Sequence, residues 1–316
     1  MKKILVAGAS GLIGGHLVKN LLEDGFKVRA VGRKIISEWK QNHQQAENIS
    51  LDLSLKENCD QVIQDTDEVY NLAAEIGGVN FIENHKAETM LSVLINTHLL
   101  LAAKKAGVKR YFYSSSFAVA AAEAPRENES LVKVLGDGHI WEKLFSEKLC
   151  AYFREDFSLE TRVGRLQNIY GPFDAYDGGR ERAPAALCRK AIIAKFSGNL
   201  DLEIWGDGNQ VRNFLYVADA VQAIRDLTAS DIAEPVRIGG SESVTVNQLV
   251  CAIEKAAGIK FNRRYKLDAP RGIERKFGPE TEAEKHFIWR AATSLETGIK
   301  SLYDWIESDM KQKGKI

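Results

Sequence analysis

The chain lacks the marks of an oxidising compartment, a bilayer or a nucleic acid. Its 316 residues hold four cysteines, Cys59, Cys150, Cys188 and Cys251, widely scattered and with no CxxC pair. That spacing argues against a disulfide framework and a thiolate zinc site, and leaves buried free thiols as the expectation. The six histidines form neither HxxxH nor HExxH, so no metal is expected. No apolar run is long enough to span a bilayer, which speaks against a membrane partner. Lys plus Arg and Asp plus Glu are 43 each, so no basic excess suggests a nucleic-acid partner. Internal repeats and low-complexity linkers are absent as well. Met1-Lys2-Lys3 leads directly into an apolar segment, and a glycine-rich turn follows before any signal-peptide cleavage site, so a cytoplasmic location is expected. What is present is a hydrophobic fraction of 45%, enough for a sizeable core in one large domain or two intimate ones.

The chain is organised around Gly8-Ala9-Ser10-Gly11-Leu12-Ile13-Gly14. Ile4 to Ala7 before it is short, apolar and β-prone. Leu12 to Asp24 after it carries apolar residues at helical spacing, and Lys27 to Val31 reads as a second strand. A glycine-punctuated turn between strand and helix lets backbone approach a pyrophosphate, whose charge meets the helix N-terminus. The spacing is G-x-x-G-x-x-G, the variant typical of proteins like the short-chain dehydrogenases/reductases. Gly8, Ser10, Gly11, Leu12, Ile13 and Gly14 are therefore candidate cofactor contacts.

Strands and helices then alternate, which predicts an α/β fold with a doubly wound parallel (Rossmann) sheet. Further strands are expected at Ile49–Leu51, Asp67–Leu72, Lys109–Ser114 and Leu159–Val163. Long helices are expected at Glu88–Ala106 and His139–Phe157, and Ser37 to Asn48 is a polar stretch. From Gln167 the pattern loosens into short elements punctuated by glycine, which suggests a smaller substrate domain over the C-terminal strand ends. The division expected is a dinucleotide-binding domain at 1–166, with about 213–236 returning to it, and a substrate domain at 167–212 and 237–316. Leu295 to Met310 reads as a helix with Leu302, Trp305 and Ile306 on one face.

In NAD-binding versions of such folds an acidic residue at the end of the second strand holds the adenosine ribose. Here that end reads Val31-Gly32-Arg33-Lys34. An Asp would repel a 2′-phosphate, whereas a guanidinium fork suits one, so Arg33 and Lys34 favour NADP over NAD. The alternative is that both are ordinary solvated loop charges. Asp52-Leu53 is expected to frame the adenine, and Leu72, Ala73 and Ala74 to line the far side of the cofactor.

From Ala73-Ala74-Glu75-Ile76-Gly77-Gly78 onward the chain resembles the GDP-mannose 3,5-epimerase family of extended short-chain dehydrogenases/reductases. The blocks that carry the resemblance include Gly164–Phe173, Gly178–Ala191 and Trp205–Arg212. The resemblance covers nearly the whole chain. It implies a GDP-sugar site lined by Asn168, Ala183, Lys190, Trp205, Gln210 and Arg212, with Gly77, Gly78 and Arg182 also on the substrate. Lys190 and Arg212 would neutralise a diphosphate. The tail block Pro270–Arg275 roughly matches the family's basic segment, with Arg271 or Arg275 as candidates. The resemblance also implies a homodimer paired through the two long helices, which the apolar Leu91, Leu94 and Phe145 fit, although a place in the chain's own core explains them as well.

The family oxidises its sugar with a Tyr and a Lys four residues later. The Lys holds the nicotinamide ribose and the Tyr moves the proton. Here Lys143 is present but the Tyr position is His139. Ser116 fits the Ser that polarises the reacting oxygen, while the family's acid/base Cys is Ala118, a further Tyr is Ala120, and its partner Lys is Arg182. An Arg stays protonated and is a poor general base. His139 is a candidate base because an imidazole titrates near neutrality, the alternative being a helix N-terminal residue without a chemical role. The stretch from Ala118 to Gly138 departs from the family pattern altogether and predicts a roomier pocket or a different sugar.

The resulting expectation is an NAD(P)-dependent enzyme of nucleotide-sugars, acting by hydride transfer at a sugar hydroxyl or ketone through Ser116, His139 and Lys143. It would be an epimerase, dehydrogenase or reductase of altered mechanism. Two alternatives stand beside it. One is a catalytically silent protein that binds dinucleotide and nucleotide-sugar. The other is an enzyme of specialised metabolism acting on a non-sugar substrate.

Overall fold

The computed structural model describes residues 2–123, 137–240, 242–269 and 285–316. In chain order the first half comprises β1 (Lys3–Ala7), α1 (Leu12–Glu23), β2 (Lys27–Gly32), β3 (Glu47–Ser50), α2 (Lys56–Val62), β4 (Glu68–Asn71), α3 (Val79–Asn84), α4 (Lys86–Met90), α5 (Ser92–Ala106), β5 (Arg110–Ser116), α6 (Phe117–Glu123), α7 (Gly138–Phe157) and β6 (Glu160–Leu166). The second half comprises β7 (Ile169–Tyr170), α8 (Ala183–Ser197), β8 (Asp201–Trp205), β9 (Val211–Arg212), β10 (Leu215–Tyr216), α9 (Val217–Ala229), β11 (Val236–Ile238), β12 (Val244–Thr245), α10 (Val246–Ala257), β13 (Asn262–Lys266) and α11 (Leu295–Gln312).

Seven strands form one parallel sheet in the order β11-β6-β5-β4-β1-β2-β3. The order reverses between β1 and β4, the switch point outside whose strand ends ligands of doubly wound sheets bind. Alternation along β1 shows why both faces are covered. Ile4 and Val6 enter one core with Leu17, Leu21 and the α9 residues Val221 and Ile224. Leu5 and Ala7 enter the other with Cys59, Leu99, Leu100 and Cys150. A third core gathers Cys188 and Ile192 of α8, Leu249 and Ile253 of α10, and Leu302 and Ile306 of α11. Cys59, Cys150 and Cys188 are buried, Cys251 is half-buried, and all four are free thiols. Burial pushes the Cys59 and Cys150 thiols up to about 12. Among the described residues no helix is long and apolar enough to cross a membrane.

Several elements differ from the sequence pattern. The helix expected over Glu88–Ala106 is broken. The interruption is at Leu91 (φ −63°, ψ −11°), where α4 ends and after which α5 starts at Ser92, while His85 (φ −127°, ψ 47°) separates α3 from α4. The Ser92 hydroxyl accepts the Glu75 backbone N–H at 2.9 Å, so the start of α5 is tied to the loop after β4. The third strand runs over Glu47–Ser50, earlier than its apolar residues suggest, because Glu47 pairs with Arg29 and accepts its Nε at 3.0 Å. The fifth strand extends to Ser116, where Ser114–Ser116 pair with Gly164–Leu166. The short helix α2 has no counterpart in the sequence reading. The polar stretch after β2 is partly interior. Trp39 and Gln41 are buried, and Trp39 Nε1 donates to the Lys34 carbonyl. β11 pairs with β6 through Val236–Ile238 and so joins the returning segment to the sheet. The basic segment at 270–275, with Arg271 and Arg275, lies outside the described residues. So do residues 124–136 of the altered stretch.

Candidate active site

The glycine turn is stapled to β2. The N–H groups of Gly8 and Ala9 both donate to the Val31 carbonyl (2.9 and 3.0 Å), and Gly11 N–H donates to the Gly8 carbonyl (3.0 Å). Gly8 has φ +83°, and a Cβ there would stand 2.7 Å from the Leu72 carbonyl carbon. A Cβ at Gly14 would lie 2.2 Å from the Gly8 oxygen. The first turn of α1, which contains Leu12 and Ile13, starts at Gly11 with no side-chain cap, so its N–H groups retain their partial positive charge. A dinucleotide pyrophosphate fits such a cradle, because side chains are absent where the backbone must come close.

The strand ends around this turn hold the other expected cofactor residues. Leu72 N–H continues the ladder to the Ala7 carbonyl, and Ala73 N–H donates to Asn71 Oδ1. Ala74 follows, half-buried. Asp52 accepts the Ser54 N–H, and Leu53 is buried. At the end of β2, a Cβ on Gly32 would stand 2.6 Å from Ser10 Oγ and 2.9 Å from the Trp39 ring. Lys34 is exposed. Arg33 reaches Glu75, with its Nη2 2.7 Å from one carboxylate oxygen and 3.1 Å from the other. Glu75 also accepts Arg180 Nη1 at 2.6 Å. Nothing in the residue pattern marked Glu75, since its role depends on loops more than 40 positions apart.

At the end of β5, Ser116 is half-buried and its Oγ accepts the Ala118 N–H at 3.2 Å. The Asp137 side chain caps α7 by accepting the His139 and Ile140 N–H groups. His139 and Lys143 are four positions apart on this helix, hence on one face, and both are buried. The Lys143 ammonium stands 3.1 Å from each of three acceptors: the Tyr113 hydroxyl, the Ser114 carbonyl and Glu142 Oε2. Tyr113 in turn donates to Glu142 Oε1 at 2.7 Å. Burial, with the Glu142 charge second, holds the Tyr113 phenol well above its ordinary range. Behind it Ser115 donates to Glu147, which is paired with Arg165 at 2.7 Å. The site therefore rests on two buried carboxylates that the sequence pattern did not single out, although Glu142 adjoins Lys143.

Of the residues expected on the substrate side, three meet. Lys190 Nζ and Trp205 Nε1 both donate to Glu203 Oε1 (2.8 and 3.0 Å), and Gln210 Nε2 donates to the Trp205 carbonyl at 2.7 Å. Gln210 Oε1 is buried and has no hydrogen-bond partner among the described residues. Arg212 lies on β9, with Nη1 on the Val211 carbonyl. Asn168 adopts φ +38° and donates to the Asn213 carbonyl. Gly78 N–H bonds the Arg180 carbonyl, and a Cβ there would meet the Glu181 oxygen at 2.5 Å, while a Cβ on Gly77 would meet Phe81. These two glycines thus bring the 178–182 loop against the loop after β4. Arg182 precedes α8, whose first residue is the exposed Ala183, and stands 3.8 Å from buried Asp174.

Residues 4–239 match the NAD dependent epimerase/dehydratase family. GDP-mannose 3,5-epimerase 1 from Oryza sativa subsp. indica is 33% identical over 98% of this chain and 83% of its own length. UDP-glucose 4-epimerase from Thermotoga maritima, solved with UDP-glucose, superimposes with a TM-score of 0.84 at 23% identity, covering 98% of this chain and 99% of the other. UDP-glucose 4-epimerase from Thermus thermophilus, solved with NAD, gives 0.80 at 21% identity over 96% and 98%.

Proposed function

The chain belongs to the NAD-dependent epimerase/dehydratase family, and on that footing we propose that it processes a GDP-linked sugar with NADP as the preferred cofactor. It is an enzyme of the extended short-chain dehydrogenase/reductase type. The observation that carries the substrate reading is the meeting of Lys190 and Trp205 on Glu203, with Gln210 held on the Trp205 carbonyl. Gln210 Oε1 there is buried and still in need of a donor, as a nucleotide base can supply. When bound, the cofactor would accept a hydride from the sugar carbon that bears the reacting hydroxyl, or in its reduced form deliver one to a ketone there. The protein's part is proton movement and orientation. Ser116 hydrogen-bonds the reacting oxygen, and His139 takes the hydroxyl proton. Lys143 exchanges one of its three inner acceptors for the nicotinamide ribose. Arg182 neutralises substrate charge and does not act as a base, since a guanidinium stays protonated. Ala118 carries no proton to move. The chemistry proposed is therefore redox at a hydroxyl or ketone, without the Cys and Lys proton transfers of the 3,5-epimerases.

The enzyme is further proposed to act as a homodimer. Leu91, Leu94 and Leu101 beside and along α5, with Trp141, Phe145 and Tyr152 of α7, expose large apolar surface on two helices that pack side by side. A second reading draws on Lys143. With all three of its ammonium donors spent on Tyr113, Ser114 and Glu142, the chain would bind both ligands without turnover.

The test is incubation with GDP-mannose in heavy water, with NADP or NAD supplied, followed by mass spectrometry of the sugar and calorimetry of binding. Deuterium at C3 or C5 would mean that a keto intermediate forms without the Cys and Lys, and would refute the redox-only mechanism. Tight binding with no exchange, together with reduction of NADP, supports the proposal. Binding without either leaves the silent binder, and no binding ends the GDP-sugar reading.

A further inference from the structure

We propose that Glu75 sets cofactor selectivity by competing with the ribose 2′-phosphate for Arg33. The proposal rests on the reading that NADP is the cofactor and names the residue that tunes it. β2 and β4 flank β1, so an ion pair between Arg33, just after β2, and Glu75, four residues after β4, spans the C-terminal end of β1. That is the mouth of the dinucleotide cradle formed by Gly8 and Gly14.

The two partners are held unequally. Glu75 has a side chain only 15% exposed, and its backbone N–H is pinned by Ser92. The Arg33 side chain is 62% exposed. Arg33 is therefore the member that swings. Its departure leaves no orphan charge, because Arg180 remains on Glu75 at 2.6 Å. A partly buried carboxylate left alone would resist the exchange; one that keeps a second guanidinium does not. The incoming phosphate offers Arg33 a bidentate, more highly charged partner than the carboxylate. NAD offers nothing in return for the lost ion pair. Gly32 narrows the other route to ribose selectivity. A Cβ there would stand 2.6 Å from Ser10 Oγ and 2.9 Å from the Trp39 ring, so a carboxylate takes that position only if those side chains shift. Selectivity thus becomes the difference between two guanidinium partners, and the charge on Glu75 sets how strongly Arg33 is withheld.

The experiment measures dissociation constants of NADPH and NADH by fluorescence on the full-length protein, with melting curves as a folding control. Arg33→Met is expected to abolish the preference for NADPH while leaving NADH within about twofold, since NADH has no 2′-phosphate for Arg33 to hold and Glu75 keeps Arg180. Glu75→Gln is expected to tighten NADPH about three- to fivefold, the worth of a partly exposed ion pair, and to leave NADH unchanged. In the double variant that gain is expected to vanish. Arg180→Met leaves Glu75 dependent on Arg33 and is expected to weaken NADPH. If Glu75→Gln misfolds, Glu75→Asp carries the same comparison, because its shorter reach weakens the hold on Arg33. Equal tightening of both cofactors, or weakening of NADPH by Glu75→Gln, overturns the exchange. If Arg33→Met leaves the NADPH:NADH ratio untouched, the cofactor reading fails and the proposal falls with it. If Arg33→Met abolishes the preference but Glu75→Gln gains nothing, only the exchange fails.

Discussion

Lys143 and Glu142, neighbours in sequence, meet 3.1 Å apart inside the protein, with side chains 4% and 1% exposed. Consecutive helix positions ordinarily diverge. Here both ends bend toward Tyr113, whose hydroxyl accepts from one and donates to the other. Removing one partner of a buried pair strands the other charge, at a cost of about 3–5 kcal/mol. Glu142→Ala is therefore expected to lower unfolding free energy in urea by about 3 kcal/mol. Glu142→Gln keeps an acceptor for Tyr113 and is expected to lose less. A loss under about 1 kcal/mol for Glu142→Ala would mean that the pair contributes no more than an exposed one.

The clearance around Gly32 bears on redesign. Placing an Asp there is the obvious route to NAD preference, yet its Cβ would be 2.6 Å from Ser10 Oγ and 2.9 Å from Trp39. Gly32→Asp is expected to bind both cofactors more weakly and to lower the melting temperature by a few degrees, for an overpacking cost of about 1–3 kcal/mol. Calorimetric titration decides it: a variant that gains NADH affinity at unchanged stability contradicts the clash.

Asp174 is a pH-dependent liability. Burial raises its carboxyl above the ordinary range, outweighing the pull of Arg182, the Ala175 N–H and Lys40, and its Oδ2 has no hydrogen-bond partner among the described residues. The folded state thus binds this proton more tightly than the unfolded chain. Stability from that site is present below the ordinary carboxylate value and is lost as pH rises through the raised one. Asp174→Asn is expected to raise the melting temperature by about 2 °C at neutral pH. No gain is expected below about pH 3.5, where the unfolded carboxyl is itself protonated. Scanning calorimetry across that window checks the slope; a gain independent of pH would point to packing instead.

The apolar faces of α5 and α7 give the fourth expectation. Leu94→Glu with Phe145→Glu places charges on a surface proposed to pair with a second copy. Sedimentation is expected to show a dimer in the wild type and a monomer in the double variant, with an unchanged far-ultraviolet spectrum. A monomeric wild type would leave those side chains as isolated surface residues, which are ordinary on monomers.

The fold was readable where local signals and tertiary demands coincide. In β1 through β2 the period-2 alternation, the glycine turn and the helix spacing all serve one cradle, and the strands stand where the pattern places them within a residue or two. Readability failed where a single distant contact decides. The start of α5 depends on Ser92 reaching Glu75, and β3 on Arg29 reaching Glu47. The site divides in the same way. Glycines announce themselves because nothing else fits, whereas Glu75, Glu142 and Asp174 look like any surface acid until the chain brings cations and burial to them. Arg33 illustrates the limit. Its place at the end of β2 was legible, but its resting partner across the cleft was not.

The edge strand β11 has a consequence for how this chain can be divided. It arrives seventy residues after β6, its neighbour, once much of the third core has already been laid down. Its Ile238 packs near Phe112 and Gly164, and Phe287, later still, joins the same core. The two bodies are interlaced rather than strung in series. A fragment cut after β6 would bare a strand edge and the inner face behind it, inviting edge-to-edge association. The nucleotide-binding half is therefore no transferable cassette, and recombination with a relative must exchange the ends of the chain together.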